Sequence, residues 1–172
     1  ALSLGEPVTQ LSAGDDHTCA LTASGAVHCW GLGKHGVLGY ASEDNLETAG
    51  EAGIVVLGGL AVQIAAGHSH TCALMLSGSV RCWGQGSTGA LGHGTTADVG
   101  DNEVPAAAGD VELAGPALDL VAGEEFTCAL LESGAVQCWG SGLDGRLGYG
   151  GDSNIGDDES PATMGSLLPF GR

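Results

Sequence analysis

Short apolar runs punctuated by glycine, rather than helical stripes, organise this chain. Thr18–Leu21 and Ala26–Trp30 are typical, and no apolar stripe of helix length with capping residues accompanies them. Runs of this kind predict β-strands. Between these two runs, Ala23-Ser24-Gly25 predicts a three-residue hairpin loop, a type I turn followed by a left-handed residue that glycine adopts without steric cost. That loop sets Leu21 opposite Val27, Ala20 opposite His28 and Cys19 opposite Cys29. A two-residue loop would instead set Cys19 opposite Trp30.

The pattern repeats. Segments 11–40, 64–93 and 120–149 align without gaps, and their tryptophans, Trp30, Trp83 and Trp139, lie 53 and 56 residues apart. A matched period of this length marks a repeat architecture. Gly25, Gly78 and Gly134 occupy the same turn position, and the repeats divide one continuous domain into 1–52, 53–107 and 108–172. In each hairpin the two faces are both largely apolar: Cys19, Leu21, Val27 and Cys29 share one, and Ala20, His28 and Trp30 the other. A hairpin that buries both faces needs a neighbour on each side, as stacked repeats provide.

The same register pairs Cys19 with Cys29, Cys72 with Cys82 and Cys128 with Cys138 at non-hydrogen-bonded positions, where α-carbons come closest. That closeness is compatible with disulfides. Each would close a loop of about 11 residues, worth roughly 3 kcal/mol on the chain-entropy model. Buried free thiols are the alternative. Disulfides imply an oxidising, extracellular setting.

Composition narrows the partners. With 4 Lys plus Arg against 21 Asp plus Glu, the net charge is -17. Such a charge opposes nucleic acid and anionic membrane surfaces. No apolar run is long enough to span a bilayer as a helix.

The blocks from Ala13 to Gly39, Ala66 to Gly92 and Ala122 to Gly148 carry an AGxxHTCAL-type strand, a small-residue turn, a CWG strand and a GxGxxGxLG tail. They closely resemble the regulator-of-chromosome-condensation repeat, and the cysteine-paired form resembles a secreted bacterial branch of that family. The resemblance implies an all-β fold of four-stranded blades, usually seven in a closed propeller. Three repeats then amount to a partial propeller or an open array. The founding member's nucleotide-exchange role on chromatin fits poorly with this acidity. Joining the end of the chain to its start would place 63 residues between Trp139 and Trp30, close to the internal spacings. This suggests head-to-tail docking between copies, into a ring or filament.

Candidate chemistry is sparse. Gly31–Gly36, Gly84–Gly89 and Gly140–Gly145 match GxGxxG, but no helix follows to hold a pyrophosphate, so they read as tight turns. Asp152, Asn154, Asp157, Asp158 and Glu159 gather hard oxygen ligands on a glycine-containing loop and could hold calcium, although a solvated acidic loop explains them more simply. A second acidic spacer holds Asp98, Asp101, Asn102 and Glu103. His68 and His70 form an HxH whose counterparts are Asp15/His17 and Glu124/Phe126, a pattern of packing or hydrogen bonding rather than a metal site. No nucleophile elbow, HExxH or CxxC is present, so the expectation is a non-enzyme without a required cofactor. It would be an extracellular structural or adhesive protein binding copies of itself, or a module that captures another protein or a glycan through its spacer loops.

Overall fold

The computed structural model describes residues 4–165. It is an all-β stack of three antiparallel sheets. The first contains β1 (Val8–Ala13), β2 (His17–Thr22) and β3 (Val27–Gly31). The second contains β4 (Ala61–Ala66), β5 (His70–Met75) and β6 (Val80–Gly84), and the third β7 (Ala117–Ala122), β8 (Phe126–Leu131) and β9 (Val136–Gly140). Each sheet keeps chain order, with the middle strand paired to both neighbours. We call the sheets blades 1, 2 and 3. Residue 52 lies between β3 and β4, and residue 107 lies inside a short helix, Pro105–Ala108, between β6 and β7. The parts of the outer repeats at 1–3 and 166–172, and with them the end-to-start join, lie outside the described residues.

Hairpin register follows the loop chemistry. Cys19 pairs with Cys29, Cys72 with Cys82 and Cys128 with Cys138. The loop closes through Thr22 N–H to the Ala26 carbonyl at 2.9 Å and Gly25 N–H to the Thr22 carbonyl at 3.0 Å. Gly25, Gly78 and Gly134 have φ of 84°, 84° and 83°, the left-handed region that the loop requires. All three cysteine pairs are bonded, with α-carbons 4.1, 4.1 and 4.0 Å apart.

The non-hydrogen-bonded character of these pairs has a further consequence. The outward backbone groups of the second cysteine need other partners. Tyr40 supplies one, its hydroxyl accepting the Cys29 N–H at 2.9 Å and donating to the Gly53 carbonyl at 2.9 Å. Tyr149 accepts the Cys138 N–H at 3.1 Å, and His93 Nε2 bonds the Cys82 carbonyl at 3.3 Å.

Each blade departs from the four-stranded expectation. The fourth strand is reduced to single antiparallel bridges, Gly31 with Leu46, Gly84 with Val99 and Gly140 with Ile155. The spacer cannot extend this pairing, for two reasons. The residue before each bridge, Asn45, Asp98 or Asn154, turns its side chain onto the amide of Gly33, Gly86 or Gly142. The residue after it in blades 2 and 3 is a glycine with positive φ, Gly100 at 99° and Gly156 at 93°, which leaves the extended conformation.

Blades stack face to face around small residues. Ala73 and Ala129, on the faces turned to the preceding blade, are fully buried, so the sheets approach closely there. Trp83 and Trp139 are fully buried, and each indole N–H reaches back to the preceding blade: Trp83 to the Val37 carbonyl at 2.8 Å, Trp139 to the Ala90 carbonyl at 2.9 Å. Among the described residues no blade precedes Trp30, which is only half-buried. Trp83→Ala is therefore expected to cost about 3–5 kcal/mol of unfolding free energy, and Trp30→Ala distinctly less. Urea titrations followed by far-UV circular dichroism would check this; equal losses would contradict the stacking role.

Candidate functional site

The site of interest is built from the joints between blades. In each first strand one extra residue forms a bulge, between Val8 and Gln10, Ala61 and Gln63, and Ala117 and Asp119. Bulges re-aim the side chains beside them. Gln10 and Gln63 reach across to the next blade and grip its backbone at both ends. Gln10 donates to the Ile64 carbonyl at 2.7 Å and accepts the Ile64 N–H at 2.9 Å. Gln63 does the same with Leu120, at 2.9 and 3.1 Å.

A second latch lies one strand further out. His17 Nε2 meets the Thr71 hydroxyl at 2.8 Å, and His70 Nε2 meets that of Thr127 at 2.9 Å. Burial holds both imidazoles at a pKa of about 4; Asp15 and Asp16 partly offset this for His17, and His17 and His68 add to it for His70. The two histidines of the HxH thus do different work. His70 is buried in the joint, whereas His68 pairs at the surface with Asp15 at 2.7 Å.

These joints define a forward and a backward face for every blade. Forward-facing Cys19, Leu21 and Val27 of blade 1 and Cys72, Leu74 and Val80 of blade 2 are no more than 4% exposed. Among the described residues, no blade covers their counterparts on blade 3, Cys128, Leu130 and Val136. Leu130 is 39% exposed, Val121 is 55% exposed, and Cys128 and Val136 are half-buried. The backward face of blade 1 is open as well, with Leu11 65% exposed where Ile64 and Leu120 are buried. Both ends of the stack therefore expose apolar residues at positions that are buried in the internal joints.

The acidic spacer forms no comparable centre. Asn154 holds the Gly142 turn, and Glu159 accepts the Gly156 N–H at 3.3 Å, just as Glu103 accepts that of Gly100. Asp157, Asp158 and Glu159 do lie together, with one oxygen from each within 4.8 Å of the others. Desolvation, then the Asp158 carboxyl, pushes the Glu159 carboxyl above the usual range. Asp152 is exposed and is not a member of that group. Of this set, Asn154 and Glu159 close loops. Among the described residues, no helix is long and apolar enough to cross a membrane.

Sequence reasoning missed the glutamine latch, the Tyr40/His93/Tyr149 brace and the Asn45/Asp98/Asn154 staple. The available signal was recurrence of a polar residue at one repeat position, which is weak where the residue type changes between copies.

The model described as "Regulator of chromosome condensation (RCC1) repeat" matches residues 8–37, 61–90 and 118–146, and a second of the same description matches 77–130. The human "Probable E3 ubiquitin-protein ligase HERC3" is 33% identical over 165 residues, covering 95% of this chain and 15% of that protein. The "Ultraviolet-B receptor UVR8" of Arabidopsis thaliana is 33% identical over 142 residues, covering 81% of this chain and 31% of that one. This chain therefore spans well under two thirds of either relative. Among solved structures, human WBSCR16 superposes with a TM-score of 0.76 at 21% identity, over 93% of this chain and 39% of that one. Yeast RCC1 (Prp20), solved with Kap60 bound, gives 0.70 at 22% identity, over 89% and 36%. At these identities the structural likeness speaks for the fold alone.

Proposed function

The chain belongs to the regulator-of-chromosome-condensation repeat family, and from that premise we propose that it is an extracellular protein-binding propeller module whose two open end faces dock further blades. The observation that carries this is the contrast at equivalent positions. Leu21 and Leu74 are 3% and 4% exposed inside the joints, and Leu130 is 39% exposed at the end. An exposed contiguous apolar face of this kind marks an interaction surface. Three buried or half-buried disulfides support the extracellular setting. Protein binding has a counterpart in the yeast relative solved with Kap60.

Binding of another protein or a glycan through the acidic spacers is the competing reading, favoured by the carboxylate group at Asp157–Glu159. A photo-crosslinking side chain placed at Leu130 or at Asp158, in cells that make the protein, separates the two. Blade docking predicts a protein adduct from position 130 and none from 158. The reverse pattern would replace it with loop-mediated binding. A second copy of the chain and a blade of different sequence both satisfy the docking reading, and residues on the two end faces distinguish them.

A further inference from the structure

At the two open ends, the residues that make the internal joints are replaced. The register of the first strands aligns Gln10, Gln63 and Asp119, each opposite the same leucine position of its middle strand. Gln10 and Gln63 offer a donor and an acceptor to the next blade; a carboxylate offers acceptors only. Asp119 is moreover turned inward, its Oδ1 accepting Gln63 Nε2 at 2.8 Å and the Leu120 N–H at 2.9 Å. His17 and His70 likewise align with Phe126, each opposite a glycine of the third strand. A phenyl ring gives nothing to the threonine hydroxyl that the next blade would present.

The turn at the outer rim tells the same story. In blades 2 and 3 the residue after the bridge is Gly100 or Gly156, packed against the turn of the preceding blade. A β-carbon at 156 would lie 2.6 Å from the Gly89 carbonyl oxygen, and one at 100 would press on that of Gly36. Blade 1 has Glu47 at this position. Seated on the front face of blade 3, its side chain would meet the carbonyl of Gly145, the equivalent turn glycine. Arg146, whose guanidinium lies 5.9 Å from the Phe126 ring centroid, stands where Val37 and Ala90 are buried in the internal joints. Two copies carrying a net charge of -17 each repel in addition.

We propose, resting on the docking reading above, that the front face of blade 3 seats a blade of different sequence and rejects blade 1 of a second copy. The accepted blade carries a hydrogen-bond-donating, basic side chain at the first-strand position of Gln10, where Gln63 already shows that this position contacts Asp119 across a joint. It carries glycine at the position of Glu47. Asp119, Phe126 and Glu47 are thus specificity determinants: they add repulsive or unsatisfied contacts against the wrong partner while the apolar strip of Val121, Leu130 and Val136 remains fit for docking.

Sedimentation velocity on the whole oxidised chain, at micromolar concentration and physiological salt, tests this. The wild type is expected to sediment as a monomer. Glu47→Gly combined with Asp119→Gln and Phe126→His restores the internal joint at the ends and is expected to assemble head to tail, with an association constant about a hundredfold higher. A second variant, Gln10→Lys with Glu47→Gly, supplies the basic donor opposite Asp119 and keeps one for the Ile64 carbonyl; it is expected to associate, and to lose association when Asp119→Lys is added. Unchanged melting temperatures confirm that each variant folds. Assembly of the wild type as strong as that of the variants overturns the inference but leaves the docking reading intact. Monomeric behaviour of both folded variants also overturns it, and the crosslink from position 130 then judges the docking reading separately.

Discussion

Reduction of the three disulfides is expected to leave this chain unfolded, or nearly so, at room temperature. Each closes a loop between residues 10 apart in sequence. Each such loop contributes about 3 kcal/mol on the chain-entropy model, so the three together contribute about 9 kcal/mol. A domain's whole stability is about 5–15 kcal/mol. Loss of the bridges therefore removes most of the margin, in a molecule whose blades each have only three short strands. Urea titration of the oxidised protein beside the reduced and alkylated protein, followed by tryptophan emission, measures this. A reduced form with an unchanged midpoint would show that blade stacking alone sustains the fold.

The bridges should also differ in reactivity. Cys19, Cys29 and Cys72 are fully buried and Cys82 nearly so, whereas Cys128 is half-buried on the open front face. Thiol–disulfide exchange needs access to a sulfur. Limited reductant followed by alkylation and peptide mass mapping should thus label Cys128 and Cys138 first.

The second large effect is acid lability in a defined window. In the folded chain His17 and His70 titrate at about 4, against an ordinary value of 6.5, because burial disfavours the imidazolium. Above pH 6.5 both are neutral whether folded or unfolded, and they make stability independent of pH. As pH falls from 6.5 toward 4 the unfolded chain takes up protons that the folded chain refuses, so stability is lost progressively; below about 4 the loss stops growing. The shift corresponds to about 3 kcal/mol for each histidine, about 6 kcal/mol together. Urea midpoints measured from pH 7.5 down to 4 should fall steeply for the wild type. They should flatten when both residues become glutamine, which cannot titrate but still meets the threonine hydroxyls. A slope unaltered by the double substitution would assign acid sensitivity to other groups.

Much of a single blade is written locally. Ala23-Ser24-Gly25 dictates the loop, the loop dictates the register, and the register brings Cys19 to Cys29, all within about a dozen residues where hydrogen bonding and φ preference decide the outcome. Repetition of those residues at 72/82 and 128/138 makes the repeat architecture legible as well. The spacers are harder to read, because their glycine and acidic residues suit a solvated loop, a calcium loop or a turn staple equally. Only the position of Asn154 beside the Gly142 amide identifies it as a staple.

What the sequence by itself determined is therefore the hairpin, its staple and its threefold recurrence, since each depends on neighbours close along the chain. What only the tertiary structure decided is direction: which face of each blade looks forward, and which residues grip the next. Gln10 to Ile64 and His17 to Thr71 each span 54 residues; both depend on a stacking distance, and the first also on a bulge, that no local pattern encodes. The same geometry separates Trp30 from Trp83 and Trp139, identical in their motif but different in burial, because a buried tryptophan needs the blade behind it.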